Sequence, residues 1–164
     1  MSSLYAHPMP RPGADLALLL LGGYRAMVDA VVAELAERGH PDFRPVHELT
    51  LRAVAAGAQD TSAVARRLEV SKQAAAKTVA VLVERGYLSR TAHPSDARRK
   101  HLAVTARGDA AVRQGEAAFA RLRAAWAEQV GDDRLTAVET TLRTLLGDDP
   151  VPAAHPGWAA HAVD

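Results

Sequence analysis

The sequence predicts a mainly α-helical protein that carries one small β-hairpin. Ala, Leu, Val, Arg and Glu are abundant and aromatic residues make up only 4% of the 164 residues, a composition that favours helices. Apolar residues recur at helical spacing over most of the chain. This period changes between Gly86 and Thr105, where two short strand-like runs occur. A chain of this length suits one domain that buries about two-thirds of its unfolded surface.

The first predicted helix extends from about Ala14 to Arg38, after a Pro-rich arm, and Gly39 is its stop signal. Its first half is apolar on nearly all sides, so we expect it to be covered on two sides, with a second subunit supplying the cover. The longest uninterrupted apolar run, Leu16 to Leu21, is far shorter than the ~20 residues of a membrane span. No targeting pattern surrounds this run, so we expect a cytoplasmic protein that does not bind a membrane.

The segment that follows predicts three short helices separated by tight turns. The first runs from Pro45 to Ala56, the second is capped by Asp60 or Thr61, and the third runs from Lys72 to Arg85 with Ser71 as its N-cap. Gly86 is well placed to end the third helix.

The third short helix carries hydrogen-bond donors and small side chains on its predicted outer face. If Ala75 and Val79 point inward, a step of about 100° per residue puts the opposite face of the helix in solvent. That face consists of Gln73, Lys77 and Ala80, flanked by Lys72 and Ala76. Gln pairs with adenine, Lys with guanine, and Ala contacts a thymine methyl group, so this face suits a DNA major groove. Ser71 offers its hydroxyl or neighbouring N–H groups to a phosphate. The alternative is an ordinary amphipathic helix with a solvated polar face.

Two short strands, Tyr87–Thr91 and His101–Thr105, are predicted to flank a polar, basic loop from Ala92 to Lys100. In this loop Asp96 is close enough in sequence to pair with Arg98. Such a preorganised guanidinium suits the negative potential of a minor groove. The alternative is a charged hairpin that protects a sheet edge.

Two further helices are predicted, from Ala106, with Thr105 as cap, to about Val130, and from the Gly131 break to Leu146. The Pro-rich tail has no periodicity. Either it is disordered or Trp158 pins it to the body, and we expect the second. The predicted division is 1–44 for an arm and a dimerisation helix, 45–105 for a DNA-binding lobe, 106–147 for dimerisation helices, and 148–164 for the tail.

Charge and composition narrow the function classes. Residues 41–105 carry eleven Lys and Arg against six Asp and Glu, whereas the flanking segments have net charges of −1 and −3. A basic middle is typical of a polyanion-binding module, with a merely solvated surface as the alternative. The absence of Cys from the sequence excludes a disulfide scaffold, a thiol catalyst and a thiol redox sensor. No phosphate loop, nucleophile motif or metal-ligand spacing is found, so we expect neither an enzyme, a metal site nor a cofactor.

The stretch from about Pro45 to Gly108 resembles the multiple-antibiotic-resistance regulator (MarR) family of winged-helix transcription factors. The matching segments are Thr61–Leu68, Val70–Gln73, Leu82–Tyr87, Asp96–Arg99 and Leu102–Gly108. The D-x-R of the hairpin and the L-x-V-T-x-x-G that follows it are the most specific. One departure is the pair Ala75-Ala76, where the family more often has β-branched residues. The resemblance implies a winged helix-turn-helix and a homodimer formed by the first and the last two helices.

The resemblance also implies a pseudo-palindromic double-stranded operator, read by two recognition helices with the wings in flanking minor grooves. It implies a repressor released by a small aromatic or anionic effector. The DNA-binding candidates are Ser71, Lys72, Gln73, Ala76, Lys77, Arg90, Arg98, Arg99 and Lys100. The ligand-binding candidates, expected among the first helix, the second helix and the start of the fifth, are Tyr24, Arg25, His47 and Arg52. Buried packing of the Tyr and His side chains is the alternative.

A second hypothesis is a helical dimer whose basic hairpin docks an acidic protein without sequence-specific DNA binding. The salt dependence of DNA binding separates the two hypotheses. Binding through about eight phosphates per dimer gives a log–log salt slope of about −7, and operator binding also survives competitor DNA.

Overall fold

A computed structural model describes the backbone of residues 12–93 and 96–147, and the side chains of residues 13–91 and 101–147. The described chain contains six helices and one two-stranded antiparallel sheet. In order these are α1 (Pro12–Glu37), α2 (Pro45–Ala55), α3 (Thr61–Arg67), α4 (Lys72–Glu84), β1 (Leu88–His93), β2 (Asp96–Val104), α5 (Ala106–Val130) and α6 (Asp132–Leu146). The predicted arm and tail, including Trp158, lie outside the described residues.

The predicted N-caps are confirmed. The side chains of Asp60, Ser71 and Thr105 each accept a hydrogen bond from the backbone N–H three residues later, at 2.7, 3.1 and 3.1 Å. Each cap satisfies one of the backbone donors that a helix leaves unpaired at its start. The beginnings of α3, α4 and α5 are therefore fixed by local sequence.

The main core lies where α2, α3 and α4 meet the base of the hairpin. The inner face of α4 consists of Ala75, Val79 and Leu82, whose side chains are buried, as the helical period predicts. Opposite them, Leu51 and Val64 are also buried. This packing leaves the other face of α4 open to solvent.

The hairpin is longer than the sequence predicted. β1 and β2 pair from Leu88 with Val104 to Ala92 with Lys100, and an irregularity follows at His93. The polar run Ala92–Lys100 was expected to be a loop, but only residues 94 and 95 separate the two strands. An antiparallel ladder is held by backbone hydrogen bonds, which do not depend on side-chain polarity. Apolar alternation therefore under-predicts the length of a strand whose sequence is polar.

Tyr87 precedes β1 rather than belonging to it, and its side chain is fully buried. Its carbonyl oxygen accepts a hydrogen bond from the backbone N–H of Thr105 at 3.1 Å, and the Thr105 hydroxyl lies 2.6 Å from the Gly86 carbonyl oxygen and 3.1 Å from that of Tyr87. The first turn of α5 lies against this backbone, because a Cβ placed on Gly108 would be 2.3 Å from the Tyr87 oxygen. The end of α4, the hairpin and α5 are joined at this point.

The first half of α1 projects from the rest of the described chain. Leu16, Leu18 and Leu19 are 54%, 65% and 73% exposed, and α6 contains no buried residue. The segment Gly13–Glu37 is long and apolar enough to cross a membrane by length and composition, although its uninterrupted apolar run is short. A single such helix near the N-terminus is weak evidence for a membrane span.

We expect Gly108→Ala to lower the free energy of unfolding by about 1–3 kcal/mol, because the new methyl group overlaps the Tyr87 carbonyl and forces the backbone to move. Urea denaturation followed by circular dichroism measures this change.

Gly115→Ala is the matched control on the same helix. Its Cβ would meet the Leu35 side chain at 3.8 Å, an ordinary contact. Replacing a helical glycine there should raise the free energy of unfolding by roughly 0.5–1 kcal/mol. Equal effects of the two substitutions would show that the Tyr87 contact does not constrain the fold.

Candidate nucleic-acid interface and ligand cavities

The exposed face of α4 presents the side chains that the helical period predicted. Ser71, Lys72, Gln73, Ala76 and Lys77 are all exposed. The turn between α3 and α4 contains Glu69 in the left-handed region, at φ +50°, and it sets α4 beside α3. The structure therefore brings five of the nine DNA-binding candidates onto one surface at the start of one helix.

The N-terminal turn of α4 has the chemistry to approach a polyanion. The Ser71 hydroxyl oxygen accepts a hydrogen bond from the Ala74 N–H at 3.1 Å, which leaves its own O–H to donate. Helix N-termini carry partial positive charge and attract phosphates. The exposed Ala76 adds no bulk between Gln73 and Lys77, so the helix backbone can come close to a groove floor.

The hairpin is anchored to the same lobe as α4. The N–H of Leu102 on β2 donates to the carbonyl of Gln59, just before α3, at 2.8 Å. Arg90, the one wing candidate with a described side chain, is exposed on β1 opposite Leu102. The side chains of Arg98, Arg99 and Lys100, and the expected Asp96–Arg98 pair, lie outside the described side chains. Their backbone lies in β2.

A first cavity of about 240 Å³ lies among α1, α2 and the middle of α5, and we refer to it as the α1–α2–α5 cavity. Its walls are mainly apolar and include Val28, Val32 and Phe119, while its polar lining residues are Tyr24, Arg44 and Glu48. The sequence predicted a cavity between the first two helices and the start of the fifth. The third wall is instead Phe119, because α1 crosses α5 near its middle.

A second cavity of about 480 Å³ lies between α2 and α4, and we refer to it as the α2–α4 cavity. It contains the cationic residues Arg44, Lys77 and Arg85 against one acid, Asp42. Arg85 donates to the Asp42 carbonyl at 3.3 Å, and its guanidinium lies 3.9 Å from the Asp42 carboxylate. Sequence reasoning missed Arg44 and Arg85, because they flank different helices and meet only in the folded chain.

The structure separates the four candidate ligand-binding residues. Tyr24 lines the α1–α2–α5 cavity, whereas His47 lines the α2–α4 cavity. Arg25 is exposed on α1. Arg52 is engaged by two carboxylates, Glu48 at 2.9 Å and Glu116 at 2.7 Å. The four side chains therefore do not form one binding site in this chain.

His47 is a buried, neutral helix-capping residue. Its Nδ1 accepts a hydrogen bond from the backbone N–H of Arg44 at 3.1 Å. Burial lowers the pKa of His47 to about 4, and the nearby cations Arg85 and Arg44 add to this effect. The carboxylate of Asp42 has a smaller, opposing effect. Burial also lowers the pKa of His40, with Arg107 adding to the effect. Both rings are thus uncharged at neutral pH.

Tyr24 is 44% exposed and is uncharged at neutral pH, and its partial burial and the charge of Glu48 raise the pKa of its hydroxyl further. Its hydroxyl is therefore a neutral hydrogen-bonding group at the wall of the α1–α2–α5 cavity. Within residues 12–93 and 96–147, no group of three His, Asp or Glu side chains is arranged to hold a metal ion.

The chain is similar to known proteins in its lobe sequence and in its fold. The sequence model of the MarR family matches residues 43–99. This segment includes α2, α3, α4, β1 and the first part of β2. The predicted resemblance to this family is confirmed over that segment. None of the curated protein sequences matches the chain significantly.

Several solved structures share the fold. The YusO protein from Bacillus subtilis is 18% identical, with 82% of this chain and 94% of that one covered and a TM-score of 0.63. S. aureus MepR, solved as a DNA complex, is 15% identical, with 81% and 96% covered and a TM-score of 0.62. CouR from Rhodococcus jostii RHA1, solved with p-coumaroyl-CoA bound, is 23% identical, with 88% and 94% covered and a TM-score of 0.55. The predicted mainly α fold with a hairpin wing is confirmed by these matches.

We expect His47 to make the stability of the chain depend on pH. Between pH 6.5, its ordinary pKa, and about 4, the unfolded chain binds a proton at His47 that the folded chain does not bind. The contribution of His47 to the free energy of unfolding is therefore full above pH 6.5. It falls as the pH falls below that value, by at most about 1.4 kcal/mol per pH unit.

The variant His47→Gln keeps a side-chain acceptor for the Arg44 N–H but does not titrate. Urea unfolding at about pH 7 and about pH 4.5, at one protein concentration, should therefore show a smaller loss of stability for the variant than for the wild type. An identical loss in both proteins would show that His47 is not held neutral by the fold.

Proposed function

We propose that this chain, which has the winged-helix fold of the MarR family, is a homodimeric, sequence-specific DNA-binding transcriptional regulator. In this proposal α4 is the recognition helix and the β1–β2 hairpin is the wing. The observation that carries the proposal is the exposed donor face of α4, with Lys72, Gln73 and Lys77, on the lobe that also anchors the hairpin. Because α4 and the hairpin pack on the same core, one DNA duplex can contact both of them.

The proposed dimer is supported by apolar surface that the described chain leaves uncovered. Leu19 on α1 and Leu145 on α6 are 73% and 70% exposed, and large exposed apolar patches mark association surfaces. In the proposal α1, α5 and α6 form the dimerisation region. Two-fold symmetry then repeats α4, so that two recognition helices meet one pseudo-palindromic operator.

We further propose that the protein is a cytoplasmic repressor and that a small molecule in the α1–α2–α5 cavity releases it from DNA. The cavity lies between α1 and α5, on the dimer side, and α2, on the lobe that carries α4. A ligand that prefers one spacing of these helices shifts the chain toward that arrangement. The relative CouR, solved with p-coumaroyl-CoA bound, supports small-molecule control in proteins of this fold.

We expect Lys77→Ala and Arg98→Ala each to weaken binding to the operator by about 1–3 kcal/mol and to reduce the salt slope by about 1. Genomic fragments selected with the purified protein supply the DNA, and gel shifts at several salt concentrations, with competitor DNA present, measure the affinity.

Arg38→Ala is the control, because Arg38 is an exposed cation just after the end of α1, outside α4, the hairpin and the three proposed dimerisation helices, and should leave DNA binding unchanged. If all three variants bind as the wild type does, neither α4 nor the wing reads DNA. Selection of no DNA, with an acidic protein retained by the hairpin, would favour the protein-docking hypothesis.

We expect Leu19→Asp to shift the protein from dimer to monomer, because a carboxylate buried in an apolar interface loses its hydration without gaining a partner. Sedimentation over a range of concentrations measures the shift. Lys77→Glu also introduces an acid on an exposed helix position but should remain dimeric. A Leu19→Asp protein that stays dimeric would place this face outside the interface.

A further inference from the structure

We propose that the α1–α2–α5 cavity takes an uncharged, mainly apolar molecule with a single hydrogen-bonding group, and that it discriminates against aromatic acids. This inference rests on the proposed function in that the cavity is the one assigned there to the effector. It differs from the sequence-based expectation of an anionic ligand because it depends on which charges the folded chain brings to the cavity.

The cavity wall is suited to an apolar body. Eight of its eleven described lining residues are apolar, with Val28, Val32 and Leu35 contributed by α1 and Phe119 by α5. Pockets of this kind bind through apolar contact and use a few polar groups for orientation. The volume of about 240 Å³ accommodates a ligand of one or two rings.

Of the two charged side chains that line this cavity, Arg44 and Glu48, the acidic one is the less exposed to solvent. Glu48 lines the cavity, and its carboxylate pairs with Arg52 at 2.9 Å. The same guanidinium pairs with Glu116 at 2.7 Å, so one positive charge is shared by two negative ones. A ligand carboxylate placed beside Glu48 would be repelled by the Glu48 carboxylate, and Arg52 is already engaged by two acids.

The remaining cations do not provide a buried anion site. Arg44 lines the cavity but is exposed to solvent, where an ion pair is screened and contributes little. Arg25 is exposed on α1, and His47 is neutral and faces the α2–α4 cavity. An acid entering the cavity therefore loses its water without a buried counter-ion to replace it.

Tyr24 supplies the single polar contact that the proposal requires. Tyr24 lines the cavity, and at neutral pH its phenol is an uncharged O–H that donates or accepts. An amide, alcohol or carbonyl on the ligand satisfies it without adding charge. The selectivity thus arises from Glu48 excluding anions and Tyr24 orienting neutral molecules.

Three compounds that share one ring system test the proposal: 2-naphthamide, 2-naphthoate and 2-naphthylmethylammonium. Titration of the full-length protein without DNA, by calorimetry at neutral pH, gives their affinities. We expect the amide to bind about tenfold more tightly than the carboxylate. We also expect it to bind more tightly than the ammonium compound, because Glu48 is already paired with Arg52 at 2.9 Å and does not compensate the lost hydration of a second cation. Val32→Trp, which fills the cavity, should abolish binding of the amide.

Two variants with the same chemical change locate the effect. Glu48→Gln removes the carboxylate that lines the cavity and should bring the amide and carboxylate affinities to within about threefold of each other. Glu116→Gln removes the other carboxylate that pairs with Arg52. Because the Glu116 side chain is 53% exposed to solvent, this variant should keep the preference for the amide. These isosteric variants keep the test valid if Val32→Trp does not fold.

The proposal is overturned if the carboxylate or the ammonium compound binds as tightly as the amide, if the amide does not bind, or if Glu116→Gln and Glu48→Gln shift the preference equally. Gel shifts with the amide are a separate measurement. Selective binding without any effect on DNA affinity would contradict the proposed release mechanism and leave the assignment of ligand class standing.

Discussion

The contact between the backbone of Tyr87 and the first turn of α5 fixes how α4 and the hairpin sit on the long helices. The Tyr87 carbonyl accepts a hydrogen bond from the Thr105 backbone N–H, and Gly108 permits the close approach because it has no Cβ. The Tyr87 ring is fully buried and packs edge-on against Phe43, with the centroids 5.3 Å apart. One residue therefore joins α4, the hairpin, α5 and the connection between α1 and α2.

This junction gives the proposed effector site a short physical connection to α4. Phe43 lines the α1–α2–α5 cavity and also contacts the Tyr87 ring. The Arg107 guanidinium also contacts the Tyr87 ring, 4.8 Å from its centre, and donates to the Gly39 carbonyl at 2.7 Å. A ligand that moves Phe43 moves a residue already packed on the end of α4. Regulation then requires only that the two arrangements differ in their contacts at this cluster.

Two kinds of interaction hold the long helices, and they differ in what they contribute. Ion pairs join Glu34 to Arg121 and Arg123 to Glu139 across α1, α5 and α6, but exposed pairs of this kind contribute little to stability. Apolar burial contributes more, and the described chain leaves the first half of α1 without it. Association through this surface is therefore expected to be driven by apolar area, with the ion pairs setting the alignment of the helices.

The elements that could be predicted from the sequence are those whose signals are local. The caps at Ser71 and Thr105, and the burial of Ala75 and Val79, follow from hydrogen bonds and helical periods that extend over three or four residues. The folded chain was needed to show that Tyr87 is a buried junction and that Tyr24 alone, of the four candidate ligand residues, lines the α1–α2–α5 cavity. These outcomes depend on which helix faces meet and which distant charges pair, and no short-range pattern records that.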